Sequence, residues 1–412
     1  MTKNRVGNRK TVPSGQSKKK KAKRKSTKYY DYNLLAAVII LLCFGLVMLY
    51  SASAYESVTK FHNDLFYFGK QAVISVAAIG LALLVSLIDY HWYMKLSGYL
   101  YILGFLLMLL VLSPLGVEAY GARRWLKLGV QFQPSEVAKI GVILFLPYVI
   151  LKMGKKIQTL KGEMFILFLG ALQAVAAWKF TDNLSTAIII FLIACVILYL
   201  ADPKSTWMVV AAGIFAAIGI VAIFWLKDHL YILETENGFR LNRIYEWLQG
   251  GSYQVLQGLY AIGSGGILGK GLGNSTQKIN TIPEAQNDMI FSIICEELGI
   301  FGALLLLLMF GYLLYRLFFI AQNAPDLYGS LVVSGIFGHI AIQVILNLLV
   351  VMNVIPTTGI TLPFVSYGGT SVLFLMTEIG IALGVARRIT FRNDEIQESS
   401  EKESAKNVLT NS

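Results

Sequence analysis

The stretch "NLLAAVIILLCFGLVMLYSAS", Asn33 to Ser53, runs for 21 residues without one charged side chain. At a rise of 1.5 Å per residue, about 20 such residues carry a helix across the hydrocarbon core of a bilayer. The same signature recurs at Phe66–Ile88, Leu96–Leu115, Pro134–Leu151, Glu163–Phe180, Ser185–Ala201, Ser205–Leu226, Met289–Phe319, Tyr328–Met352 and Tyr367–Ala386. The chain is therefore expected to be an all-α polytopic membrane protein with ten transmembrane helices. Composition excludes an ordinary soluble domain: of 412 residues 56% are hydrophobic and only 15% charged, and the mean hydropathy is +0.61.

An even number of spans puts both termini on one side, and the Lys/Arg bias makes that side cytoplasmic. Twelve basic residues lie between Lys3 and Lys28, and Arg387, Arg388 and Arg392 follow the last span. Lys152, Lys155, Lys156, Lys161, Lys204 and Arg316 fall in or beside the loops expected inside. The expected organisation is a basic cytoplasmic tail over 1–32, a membrane domain over 33–390 and a polar cytoplasmic tail over 391–412. A long extracellular segment, 227–287, separates spans seven and eight.

The basic tail, with "KKKKAKRKSTK" at its centre, lacks the apolar residues needed to fold. It is expected to lie disordered on anionic lipid headgroups. No aromatic platform is interleaved with its charge, which argues against a nucleic-acid partner. "SASA" at 51–54 resembles a signal-peptidase site, but a basic leader of about thirty residues before a full-length span reads as an uncleaved first helix. Cys43, Cys195 and Cys295 all fall within spans, so no disulfide framework is implied.

Two outside loops break the charge rule. "EAYGARRWLKLGVQFQPSE", after span three, carries Arg123, Arg124 and Lys127, and the long segment holds Arg240, Arg243, Lys270 and Lys278. Positive charge outside points to an anionic partner, and a phosphate suits the planar fork of Arg; contact with headgroups or pairing with Glu118 would explain it as well. "YAIGSGGILGKGLGNS" has six glycines between Gly263 and Gly273. It is either a place where backbone N–H groups approach a ligand or a re-entrant or interfacial segment. It matches neither a Walker nor a dinucleotide fingerprint.

Several polar side chains fall inside or at the ends of spans. Glu136 and Lys139, in "QPSEVAKI", are three apart on one helix face, and ionisable groups at depth usually line a cavity or pathway. A structural ion pair near the interface is the plainer alternative. His339, Gln343 and Asn347 recur every four residues and form one polar stripe on span nine, suited to interhelical hydrogen bonds. In "IPEAQNDMIFSIICEELG", Ile282 to Gly299, Glu296 and Glu297 sit where a helix irregularity would let carboxylates find backbone or Arg partners. Asp288 lies where the long segment turns into span eight, half in water, and reads either as a functional carboxylate or as a helix N-cap.

These motifs resemble a known family. "GARRWLKLG…QPSEVAKI", "YQVLQGLYAIGSGGILGKGLGNSTQK", "PEAQNDMIF…EELG" and "PTTGITLPFVSYGGTS" occur in the order and setting of the SEDS proteins, the FtsW/RodA/SpoVE group, from Asp31 to Arg388. The resemblance implies a ten-span peptidoglycan glycosyltransferase of the bacterial cytoplasmic membrane, polymerising lipid II on the outer face beside a class B penicillin-binding protein. It assigns the essential Asp to Asp288, the membrane-embedded pair to Glu136 and Lys139, and the Arg of Gly-Ala-x-Arg-Trp to Arg124. Thr361, where RodA-type sequences have Pro, suggests the FtsW/SpoVE branch, and with it the division septum and other divisome membrane proteins as partners.

Two departures stand out: Gln286-Asn287 replaces the family's His-Thr, and Asp182-Asn183-Leu184-Ser185-Thr186 replaces Pro-Asp-Leu-Gly-Thr, so that Asn183 stands where an acid is usual. On this reading Asp288 is the catalytic base, and Arg124, Lys139, Arg243 and Lys270 hold the lipid pyrophosphate while Glu136 orients Lys139. A divalent cation, Mg²⁺ or Mn²⁺, could share that work with Asp288 as its ligand. The main rival is a lipid II flippase, for which polar groups would line a path to both faces; a scaffold that activates the penicillin-binding protein is a third reading.

Overall fold

The computed structural model describes residues 30–119, 122–202, 204–228, 239–279 and 282–390. The expected tails, apart from residues 30–32, and part of the long segment lie outside the described residues. Twelve α-helices are described: α1 (Tyr32–Phe61), α2 (Phe66–Leu87), α3 (Tyr90–Leu110), α4 (Pro134–Met153), α5 (Leu160–Phe180), α6 (Leu184–Ala201), α7 (Thr206–Asp228), α8 (Phe239–Leu248), α9 (Tyr253–Gly265), α10 (Ile290–Asn323), α11 (Leu327–Val351) and α12 (Ser371–Ala386).

Among the described residues, eight helices (α1 to α6, α10 and α11) are long and apolar enough to cross a membrane. The chain is an all-α polytopic membrane protein. The segments expected as spans seven and ten fall on α7 and on α12, the latter an apolar helix of 16 residues.

Local chemistry sets the helix ends. Asp31 caps α1 by accepting from the Leu34 N–H at 2.9 Å, and Asp326 caps α11 by accepting from Gly329 N–H at 2.7 Å. Asp31 also receives Arg316 Nη2 at 2.7 Å, so the Arg at the far end of α10 is tied back to the start of α1. Pro134 opens α4 at the first turn, where its missing N–H costs nothing. Helices α4 and α11 are the most buried spans and pack on each other, on α6 and on α12.

Span three ends earlier than its hydropathy suggests. Helix α3 stops at Leu110, and the chain turns through Ser113 and Pro114, which cannot continue a helical ladder, into a small antiparallel sheet. Strands β1 (Gly116–Ala119), β2 (Ala122–Leu128) and β3 (Val130–Phe132) lie in that order, with Val117 opposite Trp125 and Leu126 opposite Phe132. The two-residue period of β2 puts Arg124 with buried Leu126 on one face and exposed Arg123 and Lys127 on the other.

Candidate active site

Four segments converge on Asp288. Its own turn, 282–289, leads into α10; α8 supplies Arg243, α9 supplies Gln254, and the loop 356–370 between α11 and α12 closes over them. Gln254 Nε2 donates to Asp288 Oδ1 and to the Pro283 carbonyl, each at 3.2 Å. Arg243 faces Asp288 electrostatically and donates from Nη1 to Thr357 O at 3.2 Å. Asn347 Nδ2, on α11, donates to the carbonyl of Asp288 at 2.9 Å and to that of Ile360 at 2.7 Å, and Gln343 Nε2 donates to Thr361 O at 3.0 Å. The polar stripe on span nine thus clamps the two loops that frame the carboxylate.

Burial pushes the Asp288 carboxyl above the ordinary Asp range, although the Arg243 charge and the Gln254 hydrogen bond pull the other way. The side chain is half-buried rather than sealed. Helix α10 is capped by Met289, which offers no side-chain bond, so Asp288 is not the plain N-cap that its position also allowed. Buried polar atoms without a hydrogen-bond partner flank it: Asn287 Oδ1, Asn347 Oδ1 and Thr358 Oγ1. Buried polar groups are nearly always paired, so these atoms offer partners to a polar ligand.

The residues that depart from the family pattern hold the turn, Gln286 to its surroundings and Asn287 to the turn itself. Gln286 Nε2 donates to Glu56 Oε2 at 2.7 Å, its carbonyl accepts from Tyr367 N–H at 2.9 Å, and Asn287 Nδ2 donates to Glu284 at 2.7 Å. Asn183 accepts from Thr186 N–H at 3.0 Å and caps α6, a structural task that an amide performs as well as an acid.

Glu136 and Lys139 form the expected pair at 3.0 Å, both almost wholly buried. The structure extends the pair: Lys139 Nζ lies 2.9 Å from His339 Nε2, and His339 Nδ1 lies 2.8 Å from Glu378. Lys139 does not touch Asp288. The two are linked through α11, since His339 and Asn347 are eight residues and about 12 Å apart along one helix. Arg124 donates from Nη2 to the Asp182 carbonyl at 3.4 Å, at the edge of the same end of the bundle.

Lys270 is placed elsewhere. Its Nζ lies 2.6 Å from Glu296, so its charge is engaged by that buried carboxylate and not by the Asp288 site. Lys278 likewise meets Glu297 at 2.7 Å, and Ser51, Ser275 and Thr276 complete the set. The backbone partners expected for Glu296 and Glu297 are there, in the N–H groups of Ser275, Thr276 and Gln277, while the charged partners are Lys rather than Arg. The irregularity expected at "EELG" is real: Gly299 sits at φ 68, ψ −165 inside α10. The glycine-rich segment packs into that break, with Lys270 and Gly271 N–H donating to the carbonyls of Glu296 and Glu297 at 2.9 Å each. A Cβ on Gly269 would come within 2.1 Å of Glu297 O, so here the glycines serve a backbone-to-backbone approach. An apolar cavity of about 600 Å³ opens beside it, lined by Val47, Tyr50, Phe68, Leu272 and Lys278 among others, and none of the sequence-predicted site residues faces it.

Sequence reasoning missed Gln254 and the partner of Glu378. Gln254 carries no signal beyond its place in the long segment, and Glu378 is an isolated acid in an apolar run whose partner, His339, lies on a different helix.

An integral membrane protein with a raised-affinity carboxylate beside a guanidinium, at the loop-rich end of a helix bundle, is the class that fold and site define. Residues 32–390 match the family model described as cell cycle protein, covering FtsW, RodA and SpoVE, and the chain belongs to that family. It is 36% identical over 366 residues to stage V sporulation protein E of Bacillus subtilis (strain 168), spanning 87% of this chain and 97% of that one. It is 34% identical over 373 residues to a probable peptidoglycan glycosyltransferase FtsW of Geobacter sp. (strain M18), spanning 87% and 97%. Among solved structures, it resembles a chain of a peptidoglycan synthase complex that coordinates polymerization and crosslinking, with a TM-score of 0.72 at 27% identity over 87% of this chain and 98% of that one. It also resembles the rod shape determining protein RodA of Thermus thermophilus, with a TM-score of 0.62 at 27% identity over 88% and 98%.

Proposed function

We propose that the chain is a peptidoglycan glycosyltransferase that polymerises lipid II on the outer face of the cytoplasmic membrane, in septal wall synthesis during division. The observation that carries this reading is the setting of Asp288: half-buried, raised in proton affinity, oriented by Gln254 and faced by Arg243. Polymerisation joins the 4-hydroxyl of one GlcNAc to the anomeric carbon of a MurNAc, and undecaprenyl pyrophosphate departs with the bonding electron pair. Asp288 takes the hydroxyl proton as the new bond forms; a base whose proton affinity is raised toward the working pH does this better than an ordinary Asp. Arg243 and Arg124 meet the negative charge that grows on the departing phosphates, and Lys139 with Glu136 sets the field beneath them. Lys270, tied to Glu296, drops out of that set.

A divalent cation, Mg²⁺ or Mn²⁺, is compatible with the donors present. Mg²⁺ is commonly held by one or two carboxylates together with substrate phosphates and water, and Asp288 would be the protein ligand. When bound, the ion would neutralise phosphate charge. Among the described residues no group of three or more His, Cys, Asp or Glu could hold a metal by itself.

Relatives named FtsW and stage V sporulation protein E support the FtsW/SpoVE branch, as does Thr361 in the loop over the site. The likeness to a chain of a polymerising and crosslinking complex supports a class B penicillin-binding protein as partner. The test uses the purified full-length chain with that partner and labelled lipid II. Glycan strands that vanish with Asp288→Ala would support the proposal. Translocation of lipid II across vesicles without strand formation would replace it with the flippase reading, strand synthesis that survives Asp288→Ala would remove Asp288 from the mechanism, and neither strands nor translocation from the parent pair would leave the chain a scaffold. A fluorescent fusion at mid-cell, rather than along the side wall, tests the septal assignment.

A further inference from the structure

The buried chain Glu136–Lys139–His339–Glu378 joins three helices, α4, α11 and α12, and two of its members have no role in the mechanism above. His339 is 0% exposed and Glu378 1%. The contact geometry fixes their protonation logic. A Lys ammonium can only donate, so the 2.9 Å approach of Lys139 Nζ to His339 Nε2 requires that this ring nitrogen carry a lone pair. The single ring proton of a neutral imidazole must then sit on Nδ1, where both Glu378 oxygens lie within 3.0 Å to receive it.

Glu378 thus selects the tautomer that lets His339 accept from Lys139. Glu136, three residues before Lys139 on α4, holds the ammonium from a second direction at 3.0 Å. Two fixed acceptors on different helices restrict a flexible four-carbon side chain far more than one acceptor on its own helix does. This is the logic by which an outer partner orients a ligating histidine at a metal centre, transferred here to a lysine.

We infer that His339, with its tautomer set by Glu378, is a positioning residue that fixes the Lys139 ammonium for the pyrophosphate-handling site. The inference rests on the reading that Lys139 contributes positive charge to the reaction, and it adds two residues from α11 and α12 that the sequence motifs do not assign. Neither touches substrate. A shorter or longer apolar residue at 339 would leave Lys139 held by Glu136 alone and free to swing. A glutamine there could still offer a carbonyl oxygen in place of Nε2.

The test measures lipid II polymerisation by the purified full-length chain with its penicillin-binding partner, for His339→Leu, His339→Gln, Glu378→Leu and Lys139→Met. Melting temperature is read for each. Lys139→Met should lower the rate at least tenfold; if it does not, the reading of Lys139 fails and the premise with it. Given that loss, His339→Leu and Glu378→Leu should each lower kcat about tenfold or more with KM changed less than threefold, and His339→Gln should recover most of the loss. The double variant His339→Leu/Lys139→Met should be no slower than Lys139→Met alone, because residues acting through one group are not additive. A double variant slower by the product of the two single effects, or a His339→Gln variant as slow as His339→Leu at equal melting temperature, would overturn the proposal and leave the pair a structural tie between helices.

Discussion

Asp288 and the pair Glu296–Glu297 lie within nine positions of one another at the start of α10, yet their surroundings treat them in opposite ways. Each glutamate is fully buried and saturated: Glu296 by Lys270, Ser275, Thr276 and two backbone N–H groups, Glu297 by Lys278, Ser51 and Ser275 N–H. Asp288 is half-buried, receives one side-chain amide and its own backbone N–H, and faces one guanidinium. A carboxylate with every lone pair engaged is structural, since moving a proton onto it would break several bonds at once. A carboxylate left with spare capacity and raised proton affinity is fit to take a proton.

The contrast is sharpest if the glutamates are removed. Glu297→Ala leaves the Lys278 ammonium, whose side chain is 8% exposed, with only the neutral acceptors Ser51 Oγ and Gly273 O, and should cost about 3–5 kcal/mol, the range found when one partner of a buried pair is deleted. Thermal unfolding in detergent should show a fall of many degrees, and an unchanged melting temperature would place Glu297 outside the structural class. On the other side, Arg243→Ala removes charge from the reacting end and should slow polymerisation by about 10²-fold, the scale seen when one preorganised donor is lost. It should also shift the acid limb of the pH–rate profile to higher pH, because Arg243 holds the Asp288 proton affinity down.

The sign of that limb follows from the carboxyl itself. A base must be ionised to act, so the parent rate should fall as pH drops through the raised Asp288 value, at a pH above that of an ordinary Asp; a rate flat through the whole acid range would remove Asp288 as the base. The smallest effect belongs to Gln254→Ala, which loses one hydrogen bond to Asp288. About 1 kcal/mol, or roughly a fivefold lower rate, is expected, and a loss as large as that of Arg243→Ala would show that Gln254 touches substrate.

Much of the fold was legible because hydrophobic run length is a local property. Residues 33–53 or 185–201 announce a helix by themselves. The errors came where locality ends. Span three was extended to Leu115 because hydropathy averages over Pro114, and the sheet at 116–132 stayed hidden because its longest strand has seven residues, with an alternation too brief to stand out. Within the site, spacing on one helix was readable: Glu136 with Lys139, and the stripe of His339, Gln343 and Asn347. Pairings between helices were not. Lys270 lies in the segment 227–287 and Asp288 directly follows it, and nothing along the chain indicated that the glycine-rich backbone would fold onto the break at Gly299 and deliver Lys270 to Glu296 instead. The link from His339 to Glu378 crosses 39 residues and was invisible for the same reason.

Function and stability part company at Asp288. Its proton affinity is raised on folding, so the folded state disfavours the ionised form; stability is gained as pH falls through the raised value, and at neutral pH the charge is a burden. Asp288→Asn keeps the shape and an oxygen to accept from Gln254, but cannot take a proton. The most direct measurement is the initial rate of lipid II polymerisation by purified Asp288→Asn with a class B penicillin-binding protein at pH 7, read beside its melting temperature. Strand synthesis should be lost by at least 10²-fold at a melting temperature equal to or above the parent's. A folded Asp288→Asn protein that makes strands near the parent rate would contradict Asp288 as the base.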